Sequence, residues 1–435
     1  MTRVAVRFAA VPFVMCALTM RDAPATGNSS EPSGEVVRTW NALALDTIRA
    51  TNGIDAQAAR LYAMLNVAIY DAVNGTVSHG SPERDSALVP ADGAPRNGHR
   101  VAAAAAAAHA VLVGLYPARA SIYDAELAAD LAALGSGRSV SSGGAWGQRV
   151  GAAVLAARAS DGSSPGETQE AGAGPGVFRA AWSGVQFRNL LPFAIVDPDV
   201  YVSGGPPGLT TLDYAAAFAE VKLLGNAAIP DADKLATFQY WSLGANTDQP
   251  PGAWIQVAAT VSSSRNLSLP ETARLFALLG MAMCDTVAPT YMTKFVFRHW
   301  RPATAIREAD TDDNPGTIAD ATWAPRAGGI GGTPEHWSGH SSFSGAASRV
   351  LSGFFCDDAI SFSLVTDSAP GGQSRTYASF SAAEAEAGRS RVVGGIHFEF
   401  SNQAGLAAGH GVAAEVLSNK LLRKHGPTHF GSCPL

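Results

Sequence analysis

Apolar residues recur at helical spacing over most of the chain between Val37 and Lys424, and the strict alternation that marks a half-buried strand is scarce. The pattern predicts helices near 37–50, 55–74, 100–116, 120–134, 145–161, 211–225, 231–242, 252–263, 269–300, 339–355 and 382–423, the last broken at least once. Two of the starts carry a capping box, Ser268-x-x-Glu271 and Ser381-x-x-Glu384, in which a hydroxyl and a carboxylate each satisfy a first-turn N–H that the helix leaves without a partner. The expected fold class is all-α, a large helical bundle that could divide into two packed lobes. Residues 26–210 would form an N-terminal helical region, 211–424 a helical core and 425–435 a tail.

Between the periodic segments, Asp161 to Gly176 is rich in Gly, Ser, Pro and Glu and reads as a surface loop rather than a hinge between lobes. Pro302 to Trp323 has several acidic residues and little periodicity, and Ala324 to Thr333 is rich in glycine. One long irregular connection is therefore expected ahead of Ser338, and connections of that length tend to shape sites. Asp310, Asp312 and Asp313 lack the spacing of a calcium loop and read as a solvated acidic turn.

Composition narrows the partners. Hydrophobic residues make up 47% of the chain and charged residues 16%, so apolar material for a core is ample and disorder is excluded as a class. The formal net charge of -6 argues against nucleic acid, so cationic residues matter here by clustering and not by number. Arg3 and Arg7, the apolar stretch Phe8 to Met20 and Ala23-Pro24-Ala25 have the order of a secretory signal. Residues 1–25 are accordingly expected to be a signal peptide cleaved after Ala25, with the protein secreted or periplasmic; the competing reading is an apolar N-terminus retained in the mature chain. Beyond it no membrane span is expected, since the Ala-rich run Val101 to Tyr116 is short and contains His109. Cys16 would leave with the signal. Of Cys284, Cys356 and Cys433, either Cys356 pairs with Cys433, because Cys284 lies in a long apolar stretch, or all three remain thiols.

Three segments carry candidate chemistry. Lys294, Arg298 and Arg301 fall at i, i+4 and i+7 of a helix expected to end at Pro302, which would place three cations on one face. A solvated basic stripe is the ordinary meaning of such spacing, but Phe295, Val296, Phe297 and Trp300 imply partial burial, and buried cations need an anion. Arg298, between the other two, reads as a structural ion-pair partner. The second segment, Thr333-Pro-Glu-His-Trp-Ser-Gly-His340, feeds a helix beginning near Gly339. A helix start offers free N–H groups to an oxyanion, Gly339 lets the backbone approach, and Ser338 adds a hydroxyl. The third, Ser390-Arg-Val-Val-Gly-Gly-Ile-His397, offers the planar fork of Arg391 and a ring nitrogen of His397 able to bond to phosphorus or vanadium. Each segment alone reads more readily as structure, and the combination makes the oxyanion pocket.

Taken together, Lys294 with Arg301-Pro302, Ser338-Gly339-His340, and Ser390-Arg391 with His397 resemble the three-part motif shared by the vanadium-dependent haloperoxidases and the type-2 phosphatidic-acid phosphatases, in the same order. Similarity to soluble bacterial haloperoxidases extends to Trp40–Asp46, Ala68–Asn74 and Trp300–Ile306. The resemblance implies a helical bundle with its oxyanion site in the C-terminal half and vanadate as cofactor, phosphate being the competing occupant. Lys294, Arg301 and Arg391 would neutralise the equatorial oxygens, Ser338 and the Gly339 N–H would complete the cradle, and His397 would be the metal ligand. His340 would act as acid and base, and Lys294 would polarise bound peroxide; His340, His397 and Lys294 are thus the implied catalytic residues. Hydrogen peroxide, a halide and a small organic acceptor would be the partners, and a homo-oligomer is compatible with the family. The alternatives are an exported acid phosphatase in which His397 attacks phosphorus, and a non-redox oxyanion-binding relative.

Departures from the family pattern bear on the chemistry. Trp337 stands where the family has Pro, and Ser401 where many members carry an Asp that supports the histidine four residues earlier, so that support is missing or comes from elsewhere. Tyr291 stands where halogenating members often carry Trp, and Thr333 at a position linked to halide handling, which leaves the halide unread. His336 is expected to be a loop histidine exposed to solvent in preference to a pocket base.

Overall fold

Helices that are apolar on every side make the centre of the molecule. In the computed structural model, which describes residues 33–76, 82–202, 204–431 and 433–434, the chain runs through α1 (Glu35–Thr51), α2 (Asp55–Gly75), α3 (Arg100–Leu115), α4 (Ala120–Leu134) and α5 (Arg138–Ala157). It continues through α6 (Leu212–Leu224), α7 (Ala232–Tyr240), α8 (Gln249–Ser264), α9 (Leu269–Asp285), α10 (Val287–Phe297) and the short α11 (Pro302–Arg307), then α12 (Gly339–Phe355), α13 (Phe380–Val393) and α14 (Glu399–Asn419). α2 and α9 are buried along nearly their whole length, as a helix without a polar face must be, and they pack on each other. α3 lies on α5 and α2, and α12 on α14, α13 and α9. The sheets among the described residues are antiparallel two-stranded ribbons: β1 (Thr168–Gln169) with β2 (Trp182–Ser183), β3 (Phe362–Leu364) with β4 (Arg375–Tyr377), and β5 (His429–Phe430) with β6 (Cys433–Pro434). The all-α bundle is the one the periodicity predicts.

Beside the main core, a smaller apolar cluster of Tyr214, Phe218, Trp300, Ile306, Trp323 and Phe398 joins α6, α11 and the start of α14. It anchors the irregular stretch between α11 and α12, so the loop ahead of Ser338 is fixed on a packed base. The stretch Leu269–Phe297 is long and apolar enough to cross a bilayer by length and composition, yet it lies almost wholly inside the bundle, where a core helix passes the same test.

Several boundaries differ from the sequence reading. The segment 269–300 is two helices, divided at Thr286, and α10 stops at Phe297 because Arg298 adopts left-handed backbone (φ 46). Lys294, Arg298 and Arg301 therefore do not share a helix face. The segment 382–423 breaks at Gly394–Gly395, where Gly395 has φ +77, a conformation that favours glycine, and a Cβ there would lie 2.7 Å from the Gly225 carbonyl oxygen. The Ser268 box is present, its Glu271 carboxylate accepting from the Ser268 N–H at 3.0 Å. The second box is not: Asp358 captures the Ser381 hydroxyl at 2.5 Å, and the helix is capped two residues earlier by Ser379, which accepts from the Ala382 N–H at 3.0 Å. In the acidic turn, Asp312 is buried and accepts from the Asn314 N–H at 2.9 Å and the Thr317 hydroxyl at 2.8 Å, so only its neighbours Asp310 and Asp313 face solvent. Cys356 and Cys433 form a disulfide that ties the end of α12 to the tail, and Cys284 is buried and free. The expected signal segment, with Cys16, lies outside the described residues.

One buried acid couples three distant elements. Arg49 of α1 reaches Asp46 at 2.7 Å, Asp367 beyond β3 at 2.6 Å and Asp248 before α8 at 3.4 Å. Asp248 is fully buried and its Oδ1 has no hydrogen-bond partner, and burial followed by the Asp367 charge holds its carboxyl above the usual carboxylate range. A carboxyl raised in the folded state keeps a proton that the unfolded chain releases above about pH 4, so its contribution to stability is full below that pH and is lost as pH rises through the folded value. Asp248→Asn should flatten the fall in unfolding free energy between pH 5 and pH 8, measured by urea titration, by about 1–2 kcal/mol. An unchanged pH slope in the variant would show that Asp248 is ionised throughout.

Candidate active site

Five segments converge where α12 begins. Lys294 stands in the last turn of α10, Arg301 directly precedes α11, Arg391 lies in the last turn of α13, and His397 lies in the turn that Gly395 makes between α13 and α14. Ser338 is the N-cap of α12: its hydroxyl accepts from the Ser341 N–H at 3.3 Å and its own N–H donates to the Ser401 carbonyl at 3.2 Å. α14 can lie directly on this start because Gly405 has no side chain; a Cβ there would sit 2.6 Å from the Ser338 carbonyl oxygen. The Gly339 and His340 N–H groups take no acceptor among the described residues, which leaves the positive end of α12 open to an anion.

His397 has a defined tautomer. Its Nδ1 lies 3.0 Å from Glu335 Oε1, an acceptor, and its Nε2 lies 2.9 Å from Arg301 Nη1, a donor. The proton must therefore be on Nδ1 and the lone pair on Nε2. Arg301 is fixed by the Thr333 carbonyl at 2.8 Å and the Ile396 carbonyl at 2.6 Å. The Lys294 ammonium donates to the Pro334 carbonyl at 2.6 Å. Arg391 donates to the Trp241 carbonyl at 3.1 Å, and its buried Nε has no partner. His340 donates from Nε2 to the Ser242 carbonyl at 3.1 Å, which leaves Nδ1 as the basic nitrogen of the neutral ring. Arg298 is outside this group; it forms no ion pair among the described residues but donates to the Glu170 carbonyl at 2.5 Å, bracing the loop before β2.

The electrostatics are those of a cationic cage short of an anion. Burial and Arg301 pull the Lys294 ammonium down, burial and Arg301 do the same to Arg391, and burial lowers Arg301 itself. Burial and these cations hold both His397 and His340 well below the usual histidine range, so both rings are neutral at pH 7. The compensating carboxylates are Glu335 inside and, further out, Asp55, whose charge reaches Lys294. Three cations, an orphaned buried guanidinium nitrogen, a helix start with free N–H groups and one fixed lone pair fit a tetrahedral oxyanion such as vanadate or phosphate.

Glu335 was not singled out in the sequence. It accepts from His397 Nδ1, from the Phe398 N–H at 2.9 Å and from the Ser401 hydroxyl at 2.6 Å. Burial pushes its carboxyl up, but every contact it makes is to a donor and Arg301 is near, the setting of an ionised carboxylate. The support expected four residues after His397 therefore comes from the loop before Ser338, and Ser401 holds that loop carboxylate in place. His336 is not exposed: it is buried against Phe297, Trp337 and Phe400, with Nδ1 at 2.9 Å from the Ser401 hydroxyl. Ser401 donates to Glu335 and so must accept from His336. Trp337 is buried and donates to Thr290 Oγ1 at 2.9 Å, and Tyr291 donates to Asp55 at 2.7 Å, so both rings stiffen the wall beside α10. Glu335 could have been found as the one acid in the segment that carries Ser338; Asp55, almost three hundred residues away at the start of α2, gives no local signal.

Comparison with known proteins agrees with this architecture. Residues 274–423 match the family model of the VCPO second helical-bundle domain. The fold is similar to that of a bacterial vanadium-dependent iodoperoxidase, with a TM-score of 0.77 and 21% identity over 92% of this chain and 100% of that one. It is also similar to a bacterial vanadium-dependent chloroperoxidase in its holo form, with a TM-score of 0.59, 16% identity and coverage of 85% and 96%. For the apo form of a bacterial vanadium-dependent chloroperoxidase the TM-score is 0.61, the identity 15% and the coverage 82% and 92%. No curated protein sequence matches the chain. Residues 274–423 thus match the model of a VCPO second helical-bundle domain, and the chain as a whole has a fold similar to that of the vanadium-dependent peroxidases.

If Glu335 fixes the tautomer and aim of His397, Glu335→Ala should weaken vanadate binding about 10- to 100-fold, the range for loss of a group that orients a ligand. Glu335→Gln, which keeps an acceptor for Nδ1, should recover part of that loss. Equilibrium titration with orthovanadate, followed by vanadium NMR, reads both; equal affinity in the Ala variant would remove Glu335 from the account.

Proposed function

We propose that the pocket binds vanadate and that the protein is a haloperoxidase, using hydrogen peroxide to oxidise a halide that then reaches a small organic acceptor. The observation that carries this reading is the neutral, aimed Nε2 lone pair of His397 within a cage of three cations. Bound vanadate would supply a Lewis-acidic centre that activates peroxide for attack by halide without a change of metal oxidation state. Lys294, Arg301 and Arg391 spread positive charge around the oxyanion, and the Ser338 hydroxyl and Gly339 N–H add directed donors. His397 Nε2 would hold the oxyanion through nitrogen. His340 Nδ1 is free to accept the proton that peroxide gives up on entering the site, while Nε2 stays anchored to Ser242. Lys294, held on the Pro334 carbonyl, would draw charge off an oxygen bound beside it.

The same lone pair is a competent nucleophile toward phosphorus, and an acid phosphatase using His397 and His340 is the second reading. Similarity of fold to vanadium-dependent peroxidases over most of the chain favours the first. Export through residues 1–25 is part of the proposal.

The purified protein loaded with orthovanadate should halogenate a phenolic dye when given peroxide with iodide, bromide or chloride, and should leave p-nitrophenyl phosphate intact. His397→Ala should lose vanadate binding and turnover together. His340→Ala should retain vanadate and lose about 100-fold or more in kcat, as expected for removal of a general base. Confirmed vanadate uptake without halogenation for any of the three halides would sink the peroxidase reading, and ester hydrolysis in its place would establish the second.

A further inference from the structure

A second cationic cavity lies apart from the oxyanion pocket and shares no residue with it. It measures about 360 Å³ and is lined by Arg84, Arg274 and Arg423, with Tyr70, Val73, Pro270 and Phe354 forming apolar wall. Arg274, on α9, is only 6% exposed; its Nε donates to the Leu421 carbonyl at 3.3 Å, and its buried Nη2 has no hydrogen-bond partner. Arg84 donates to the same carbonyl at 3.2 Å, and the backbones of Arg84 and Arg423 bridge. A purely structural clip on the C-terminal segment accounts for the bonds to Leu421. It does not account for a third guanidinium brought alongside, nor for a buried Nη2 left without an acceptor.

Charge and shape define what would complete the cavity. Glu83 and Glu271 lie at its edge, but the Glu271 carboxylate is taken by the Ser268 N–H and hydroxyl, and Glu83 is exposed. Neither carboxylate reaches Arg274 Nη2, which stays a buried donor without an acceptor. The guanidinium fork suits a planar carboxylate, and the Arg274 guanidinium carbon lies 5.4 Å from the Phe354 ring centroid, next to walls that suit an apolar body. Burial together with the charges of Arg84 and Arg423 depresses Arg274 from its ordinary range, the signature of a cation lacking its counter-ion. We infer that this cavity is a binding site for a small organic monocarboxylate with an apolar body, anchored on Arg274 Nη2. The inference does not depend on the reading of the oxyanion pocket.

Calorimetric titration of the full chain with sodium benzoate tests it, with sodium phosphate and neutral benzyl alcohol run in parallel. Benzoate should bind one to one, and more tightly than either comparison compound. Arg274→Met, which keeps an unbranched apolar side chain and removes the fork, should weaken benzoate about tenfold or more, as loss of a charge-assisted hydrogen bond does. Lys294→Met, in the other pocket, should leave it unchanged. If Arg274→Met fails to fold by circular dichroism, Arg423→Gln on the exposed rim decides the matter, with a weakening of about threefold or more expected. Absence of benzoate binding, phosphate binding more tightly than benzoate, or benzoate affinity that follows Lys294 and not Arg274 or Arg423 would each overturn the assignment.

Discussion

The site depends on one buried contact, the Nδ1–H of His397 on the carboxylate of Glu335. That contact fixes the ring, sends the proton to one side and turns the lone pair toward the cations. Without it the histidine could protonate or rotate, and a protonated ring inside a cage of Lys294, Arg301 and Arg391 would add a fourth positive charge. The contact is itself supported: Phe398 N–H and the Ser401 hydroxyl hold the carboxylate, and His336 donates to Ser401 from behind. A chain of buried donors and acceptors of this kind locks orientation because each member has only one geometry in which all the others remain satisfied.

The surrounding fold serves to keep these groups dry and close. The glycine contacts between α12 and α14 bring the Ser338 cap onto the helix that follows His397, and the cluster of Tyr214, Trp300, Trp323 and Phe398 packs beneath the loop that carries Glu335. Burial then works in two directions. It depresses every cation in the cage, which is unfavourable in isolation, and it strengthens the attraction of the cage for an oxyanion by the same reduction of screening. The stability given up there is offset across a core centred on α2 and α9 and extended by helices from both halves of the chain.

The sequence shows the helices plainly because their apolar positions repeat, and it shows the order of Lys294, Arg301, Ser338–His340, Arg391 and His397 because those residues sit in three short segments. It misplaces what depends on backbone conformation. Nothing in the spacing of Lys294, Arg298 and Arg301 reveals that Arg298 turns left-handed and ends the helix, since arginine carries no preference for that region. Ser381 has the right neighbours for a cap and loses the role to Ser379 because Asp358, distant in sequence, binds its hydroxyl. His336 looks like a polar loop residue and is buried by Phe297 and Phe400, contacts that no local pattern encodes. Ser401 reads as the loss of a carboxylate support, whereas the support has moved to Glu335 with Ser401 as its donor.

His397 Nε2 is the nitrogen held ready for a tetrahedral oxyanion inside the cation cage. A crystal structure of the protein soaked with orthovanadate tests it most directly. Vanadium should lie within bonding distance of His397 Nε2, with Nδ1 still on Glu335 and Lys294, Arg301 and Arg391 all in contact with the oxyanion. Vanadate bound away from His397, or a cage left without vanadate at saturating concentration, would contradict it.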